Sequence, residues 1–437
     1  LLNDEQEQVI WESIIQKTAR PLLNLQSTVK QVRKAFQLLQ AYGLSPQAPA
    51  FRYTEAGQLF AKWAHAFMKH CDVNQLIDQS RLIATITSLI NDNKIKLPNT
   101  ILFMGFLDQP PALKNLINAL KSYCKVTLID PTEHKQHGRT HQLGLSHTEH
   151  EIKTMALWAN RLLKQEPDAK IACVVPDLTT LRRPLDRIFS TIIDHAHYNI
   201  SGGNALFDEP IIAMALSLLK LPQQLDINTI SHLLRSPFWG GYLKESQKRS
   251  LLDAKLREDN YLSLSLKQLI KQSKQCHELH KILMQFTKHV RYQAQSPREW
   301  AKQFSLQLAA LGWPGDRSLS SREHQAIQQW QQCLEKLASL TCVSPTLTFS
   351  QALQKLMQLA KQQLFQIQTN DNASIQVLGL LEVLGLPFDH IWVMGLDDLH
   401  WPSAANPNPF LPVSLQREHD MPHASALREL DFAHDMQ

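Results

Sequence analysis

The sequence lacks any apolar run long enough to cross a bilayer. Its longest apolar stretches, such as residues 211–219, fall well short of the ~20 residues that a membrane-spanning helix requires. The first residues also lack the basic start and apolar core of a secretory signal peptide. We therefore expect no membrane segment and no membrane partner.

Cysteine is scarce, and no two cysteines form a CxxC pair. The six are Cys71, Cys124, Cys173, Cys276, Cys333 and Cys342. Because several stand in apolar contexts, we expect buried, free thiols in a reducing cytoplasm. Tetrahedral zinc needs four ligands in paired spacing, and the histidine clusters at 141–150 and 276–280 each supply at most half a site. We therefore expect no metal ligand and no cofactor in this chain.

Catalytic motifs are missing as well. The chain has neither a GxxxxGK[ST] phosphate loop nor a GxSxG nucleophile motif. A PD-(D/E)XK nuclease needs an acidic residue on one strand, and a second acid two residues before a lysine on the next, so that two carboxylates hold magnesium. Asp168 and Lys170 mimic the second half, but no acidic strand precedes them. Like Asp177 after its strand, they are better explained by a turn, so we predict no catalytic residue here.

The sequence does carry a mild positive charge and enough residues for several cores. The net charge of +5, from 45 Lys and Arg against 40 Asp and Glu, permits nucleic-acid binding without demanding it. A chain of 437 residues should hold roughly two to four domains, because single cores stop growing near ~250–300 residues.

The apolar pattern predicts an α/β protein with helical regions. Residues 1–95 place apolar side chains at helical spacings of three and four. Short continuous apolar runs at 99–106 and 125–130 flank a helical segment. Such runs are typical of strands buried on both faces of a parallel sheet, so they predict a βαβ unit.

Three further strands are predicted at 171–175, 375–379 and 390–395. A long helical stretch separates the first from the other two. One buried parallel sheet with right-handed crossovers is favoured over two small ones. We therefore predict that the three strands share one sheet, and that the helical stretch is inserted between two pieces of one α/β domain.

The most informative stretch, residues 375–402, follows the order strand, loop, strand and turn. In active superfamily I helicases of the UvrD, RecB and AddB kind, the corresponding place resembles a strand, a Thr-His-x-x-Lys-Gly-Leu-Glu-Phe segment and a second apolar strand. Gly385, Leu386 and Phe388 keep this frame. The stretch therefore resembles a helicase motif.

The residues that would do chemistry in that motif are replaced. Leu384 stands where the family has lysine, and Pro387 stands where it has glutamate. At the end of the first predicted strand, Gly105 and Phe106 stand where an Asp-Glu pair is expected. Asp108 is the nearest acid, and we predict that it caps the helix that follows. The resemblance thus points to DNA and away from catalysis.

Several other stretches carry the same resemblance. They are residues 101–120, 151–165, 170–189, 233–240 and 406–412. Together they resemble a bacterial family of AddB-like and RecB-like DNA repair proteins, in which an inactivated helicase region precedes a PD-(D/E)XK exonuclease domain. The missing initiator methionine and the break inside a helix at Gln437 lead us to expect a fragment, with the nuclease and its Mg²⁺ outside it.

The resemblance implies RecA-like parallel-sheet domains with helical insertions. The expected parts are a helical insertion-like region at 1–95, part of a first RecA-like domain at 96–143, the first part of a second at 144–222, a helical insertion at 223–344, and the second part at 345–437.

The residues that we expect to contact DNA are basic or aromatic, because cations neutralise phosphate and aromatic rings stack on unpaired bases. They are Arg182, Arg183, Arg235, Ser236 and Trp239, together with the basic helix at 244–257. Arg182 and Arg183 should line a groove between the two α/β blocks. The alternative is a solvated helix face, with Trp239 packed in a core.

We therefore expect a non-catalytic, helicase-like scaffold that holds single-stranded or junction DNA in repair or recombination. One alternative is a protein-interaction module that docks a partner helicase or nuclease subunit. Another is an active DNA-dependent ATPase whose phosphate loop lies before Leu1.

Overall fold

The computed structural model describes residues 1–17, 24–106, 108–129, 138–194, 196–366, 373–383, 385–397 and 400–436. The chain divides into two compact units. The first combines Leu1–Gly202 with Thr369–Gln437, and the second is Gly203–Gln368. In the described part of the chain, no helix combines the length and the apolar character needed to span a bilayer.

The first unit begins with four helices: α1 (Asp4–Gln16), α2 (Leu25–Ala41), α3 (Glu55–Val73) and α4 (Gln79–Asn91). Each starts at a residue whose side chain accepts a backbone N–H of the first turn, which satisfies a donor that the helix leaves unpaired. These residues are Asn3, Asn24, Thr54 and Asp78. In the core, Trp11 stacks on Phe67 at a ring distance of 4.2 Å.

The predicted βαβ unit follows and is confirmed. It consists of strand β1 (Thr100–Met104), helix α5 (Pro111–Lys121) and strand β2 (Lys125–Ile129). The two strands pair in parallel, with Leu102 opposite Thr127. The prediction that Asp108 caps α5 is wrong. The helix begins without a side-chain cap, and Asp108 instead pairs with Arg428 at 3.5 Å.

The next elements are α6 (Thr148–Gln165), β3 (Ile171–Val174), α7 (Leu178–Ile192) and β4 (Tyr198–Ile200). All four residues of β3 are buried, as a continuous apolar run in a central parallel strand requires. Ile152, Met155 and Ala156 of α6 pack into the same core as Phe189 of α7.

The second unit contains eight α-helices and four short strands within its described residues. They are β5 (Asn204–Ala205), α8 (Pro210–Leu219), β6 (Leu225–Asp226), α9 (Ile227–Leu234), α10 (Tyr242–Glu258), β7 (Ser263–Leu264), α11 (Leu266–Gln272), α12 (His277–Thr287), α13 (Pro297–Ala310), α14 (Ser321–Ser339), α15 (Phe349–Gln362) and β8 (Leu364–Phe365). Strands β5 and β8 pair antiparallel, as do β6 and β7. The boundaries predicted for a helical insertion, 223 and 344, lie inside this unit.

The chain then returns to the first unit with β9 (Ile375–Leu378) and β10 (His390–Val393). These strands join β3 and β4 in one parallel sheet of order β10-β3-β9-β4. The prediction of a single sheet across the long helical stretch is therefore confirmed. The fold is mixed α/β with parallel sheets.

Two helices close the first unit, α16 (Val413–Glu418) and α17 (Ala426–Met436). The segment at 406–412 packs against the N-terminal helices. Asn408 donates through Nδ2 to the Gln31 carbonyl at 3.0 Å, and the Phe410 ring lies 5.9 Å from that of Trp63. These contacts give the segment a structural role.

Candidate nucleic-acid interface

The stretch that resembles a helicase motif comprises β9, β10 and the loop between them, and its replaced positions fall in that loop. Gly385 has a φ of +73°, a conformation that glycine adopts without strain. Leu386 and Pro387 are exposed and Phe388 is half-buried. Leu384 lies outside the described residues.

This loop is unsuited to phosphate contact by charge. The sequence from 362 to 416 contains no lysine or arginine. Its exposed charged groups include Glu382, Asp389 and Asp397, and Glu382 accepts the Gly379 N–H at 3.0 Å. A segment without cations cannot neutralise a phosphate backbone.

The other replaced position follows β1. Gly105 has a φ of +78° and lies in open space. The Phe106 ring is exposed and makes an edge contact with Phe103 at 5.5 Å. Neither residue offers the carboxylate that would hold Mg²⁺ in nucleotide hydrolysis.

The carboxyl edge of the four-stranded sheet is the place where the fold would present ligand-binding groups. Strands β3 and β9 are neighbours in the sheet. After β3 the chain crosses to β4 on one side, and after β9 it crosses to β10 on the other side. Open parallel sheets bind ligands at such a switch point.

Several carboxylates lie at this edge among the described residues. Asp177 caps α7, and Glu151 accepts the Gly395 N–H at 3.1 Å. Asp397 lies 2.6 Å from the ring of His400. The edge is therefore a poor surface for a polyanion.

Arg182 and Arg183 lie near this edge, on α7, but they differ in position. Arg182 is half-buried and donates through Nη1 to the Ile200 carbonyl at 3.2 Å and to the Ser201 carbonyl. Burial lowers the pKa of its guanidinium. Arg182 thus ties α7 to the end of β4, whereas Arg183 is exposed.

The predicted contacts of the second unit are mostly structural. Trp239 is 0% exposed, donates through Nε1 to the Leu233 carbonyl at 2.9 Å and lies 4.8 Å from the Arg249 guanidinium. Its prediction as a base-stacking residue does not fit this position, and the core alternative does. Ser236 is buried and its Oγ accepts the Phe238 N–H at 3.2 Å.

The basic helix expected at 244–257 is only partly a charged surface. Arg249 is fully buried and donates to the Gly240 carbonyl. Arg257 and Arg235 both pair with Asp253, at 3.4 and 3.7 Å. Ion pairing of this kind reduces the charge available to phosphate.

A run of exposed cations with fewer acids lies next along the chain, in α11, α12 and the residues that follow each helix. Its cations are all exposed: Lys267, Lys271, Lys274, Lys281, Lys288 and Arg291. We call these residues the α11–α12 basic surface. Between residues 260 and 297 the only acid is Glu278, and it is half-buried.

Helix geometry groups these cations. Lys267, Lys271 and Lys274 stand four and three residues apart, which places them on one side of α11 and the turn after it. His280 fixes α12 against α11, because its Nδ1 lies 3.1 Å from the Ile270 carbonyl. Leu283 and Phe286 are buried on the inner side of α12.

Two exposed apolar side chains accompany the basic surface. Met284 stands between Lys281 and Lys288 at helical spacing, and Tyr292 follows Arg291 with 72% of its area exposed.

Sequence reasoning named the helix at 244–257 because its basic residues are dense. The scarcity of acidic residues between 260 and 297 is the signal that would have found the α11–α12 surface.

In the described part of the chain, no three His, Cys, Asp or Glu side chains are grouped so that they could hold a metal ion.

Compared with known proteins, the chain matches no protein-family model and no curated protein sequence.

Proposed function

We propose that this chain is a non-catalytic, helicase-like scaffold that binds DNA by charge, with RecA-like character in its parallel-sheet unit. The observation that carries the proposal is the α11–α12 basic surface, where six exposed cations are accompanied by one half-buried acid. The segment that resembles a helicase motif contributes the fold and no phosphate contact.

Charge of this kind gives binding that does not depend on base sequence. Proteins that neutralise phosphates with lysine and arginine release counterions, and non-specific dissociation constants are about 10⁻⁴–10⁻⁶ M at physiological salt. Tyr292 adds an exposed ring on which an unpaired base can stack. We therefore expect single-stranded or junction DNA to bind more tightly than duplex.

The test is a fluorescence anisotropy titration of single-stranded, junction and duplex DNA over a series of salt concentrations. The variant Lys271→Ala/Lys274→Ala should lower the affinity for every DNA form. It should also reduce the salt slope on single strands by about 1.4, because each phosphate contact contributes about 0.7. The matched control is Lys62→Ala/Lys69→Ala, which removes the same charge from exposed positions on α3.

The control should bind DNA like the parent chain. The proposal fails if no DNA form binds at low salt, or if the two double variants lose the same affinity and slope. In the second case the binding reflects net charge alone.

A second candidate is a protein-interaction module that docks a partner helicase or nuclease subunit through an apolar segment. It is favoured by the sheet face of β1 and β2 on which Leu102 and Met104 are 61% and 60% exposed. Parallel sheets normally have both faces covered. Absence of binding to every DNA form would make this the better candidate.

A further inference from the structure

An open cleft of about 460 Å³ lies between the start of α6 and the end of α7. Its polar lining consists of His147, Glu149, His150, Lys153, Arg187 and Thr191. Four of these six side chains carry nitrogen groups that are cationic or can become so, and one is a carboxylate. Such a lining favours an anionic ligand.

The groups come from two helices that are held together. His147 begins α6, and its Nδ1 accepts the His150 N–H at 3.1 Å. Because Nδ1 is an acceptor, the neutral ring carries its proton on Nε2, which is a donor. Lys153 stands further along the same helix, and Arg187 lies on α7.

Among the described residues of the lining, Glu149 is the only carboxylate, and it forms an ion pair with Arg187. Arg187 Nη2 lies 2.5 Å from Glu149 Oε1, and the two side chains are 64% and 62% exposed. Exposed ion pairs of this kind contribute little to stability. A phosphate group brings more charge and more acceptor oxygens, and guanidinium forks bind it well.

We propose that this cleft binds a phosphate group through Lys153, Arg187 and the His147 ring, and that Glu149 competes with it for Arg187. The phosphate belongs either to a nucleic-acid backbone or to a small ester such as a nucleotide. The site lies in the first unit and shares no residue with the α11–α12 basic surface. It therefore stands whether or not that surface binds DNA.

The test uses inorganic phosphate as the probe. Its binding is measured from the width of its phosphorus NMR signal as the protein is added. Glu149→Gln should raise the affinity about threefold, because it removes a competing charge from an exposed site. Lys153→Ala/Arg187→Ala should lower it about tenfold or more, because charge-assisted hydrogen bonds are lost. The matched control, Arg161→Ala/Lys164→Ala, removes two exposed cations from α6 outside the cleft lining.

The opposite signs of the first two variants are the decisive result. An oligonucleotide without terminal phosphates is then tested as a competitor of inorganic phosphate. If it competes, and if this competition requires Arg187, the site binds the phosphates of a nucleic-acid backbone. If AMP competes and the oligonucleotide does not, the site binds a small phosphate ester. The proposal is overturned if phosphate does not bind, if Glu149→Gln leaves the affinity unchanged or lowers it, or if the control loses as much affinity as the cleft variant. Exposed side chains are replaced throughout, so thermal melting should stay unchanged.

Discussion

Asn408 and Gln416 are joined by two reciprocal hydrogen bonds in the core of the first unit. The Asn408 N–H donates to Gln416 Oε1 at 2.9 Å, and Gln416 Nε2 donates to the Asn408 carbonyl at 2.9 Å. Nε2 also donates to the Leu411 carbonyl at 2.8 Å. A buried side chain thus satisfies three backbone groups of a segment that has no regular secondary structure, which is how an irregular segment can be buried.

The first prediction follows from this pair. Gln416→Leu keeps the volume but removes the side-chain partner of the Asn408 N–H and of the Leu411 carbonyl, while the Asn408 carbonyl still accepts the Leu411 N–H at 3.2 Å. Each buried group left without a partner costs about 1–3 kcal/mol, so we expect the free energy of unfolding to fall by about 2 kcal/mol or more, measured by urea denaturation. Ser414→Ala, at an exposed position on the same helix, is the control. A Gln416→Leu chain as stable as the control would show that the network is dispensable.

The parallel sheet was predictable from sequence, and the placement of single charged residues was not. The continuous apolar run at 171–174 implies burial on both faces, and the segments at 375–379 and 390–395 are mostly apolar as well, so one buried parallel sheet is the economical arrangement. Whether an arginine lies in a core or on a surface depends on neighbours that are distant in sequence. Arg182 meets the carbonyls that follow β4, and nothing in the local pattern around 182 indicates this.

For Trp239, too, the local sequence could not show whether the side chain is buried or exposed. Beside Arg235 and Ser236, an aromatic residue is compatible with base stacking and with a core, and local sequence does not distinguish the two. The α11–α12 basic surface was missed although the sequence could have predicted it, because it depends on composition over nearly forty residues and hardly on packing.

The second prediction distinguishes the buried Trp239 from the exposed Tyr292. Trp239→Phe removes the bond to the Leu233 carbonyl and leaves a void, so it should cost about 2 kcal/mol of unfolding free energy and leave DNA affinity unchanged. Tyr292→Ala should do the opposite. It should keep the stability and weaken single-stranded DNA about tenfold, since base stacking contributes about 1–3 kcal/mol. Urea denaturation and anisotropy titration of both variants give the answer, and a loss of DNA affinity by folded Trp239→Phe would contradict it.

The third prediction concerns pH and Glu7. Burial raises the pKa of Glu7 above its ordinary value of 4.5, and the nearby Arg33 only partly offsets this. Its Oε1 accepts from Arg33 Nε at 3.2 Å, while Oε2 is buried without a partner in the described part of the chain. The folded state therefore holds the Glu7 proton more tightly than the unfolded chain does. This contribution to stability is present at low pH and is lost as the pH rises through the folded pKa.

Glu7→Gln removes that titration. The stability of the variant relative to the parent should therefore rise from about pH 4 to about pH 8, measured by urea denaturation at both values. Glu418→Gln, which removes a carboxylate from an exposed position, is the control. A flat difference for Glu7→Gln would mean that Arg33 cancels the effect of burial, and a difference that falls with pH would mean that Arg33 outweighs it.

The last prediction is that this chain does not hydrolyse ATP, alone or with single-stranded DNA. Hydrolysis by a RecA-like domain requires a phosphate loop with its lysine and carboxylates that hold magnesium and orient water. The sequence has no GxxxxGK[ST] motif, and the stretch from 362 to 416 has no lysine or arginine. Gly105 and Phe106, at the end of β1, can supply neither a carboxylate nor an ammonium group. Phosphate release measured with Mg²⁺ and saturating DNA should therefore equal that of a buffer control and of the Lys271→Ala/Lys274→Ala variant. Release that DNA stimulates in the parent chain and that this variant reduces would establish an active ATPase, and the scaffold proposal would then have to be replaced.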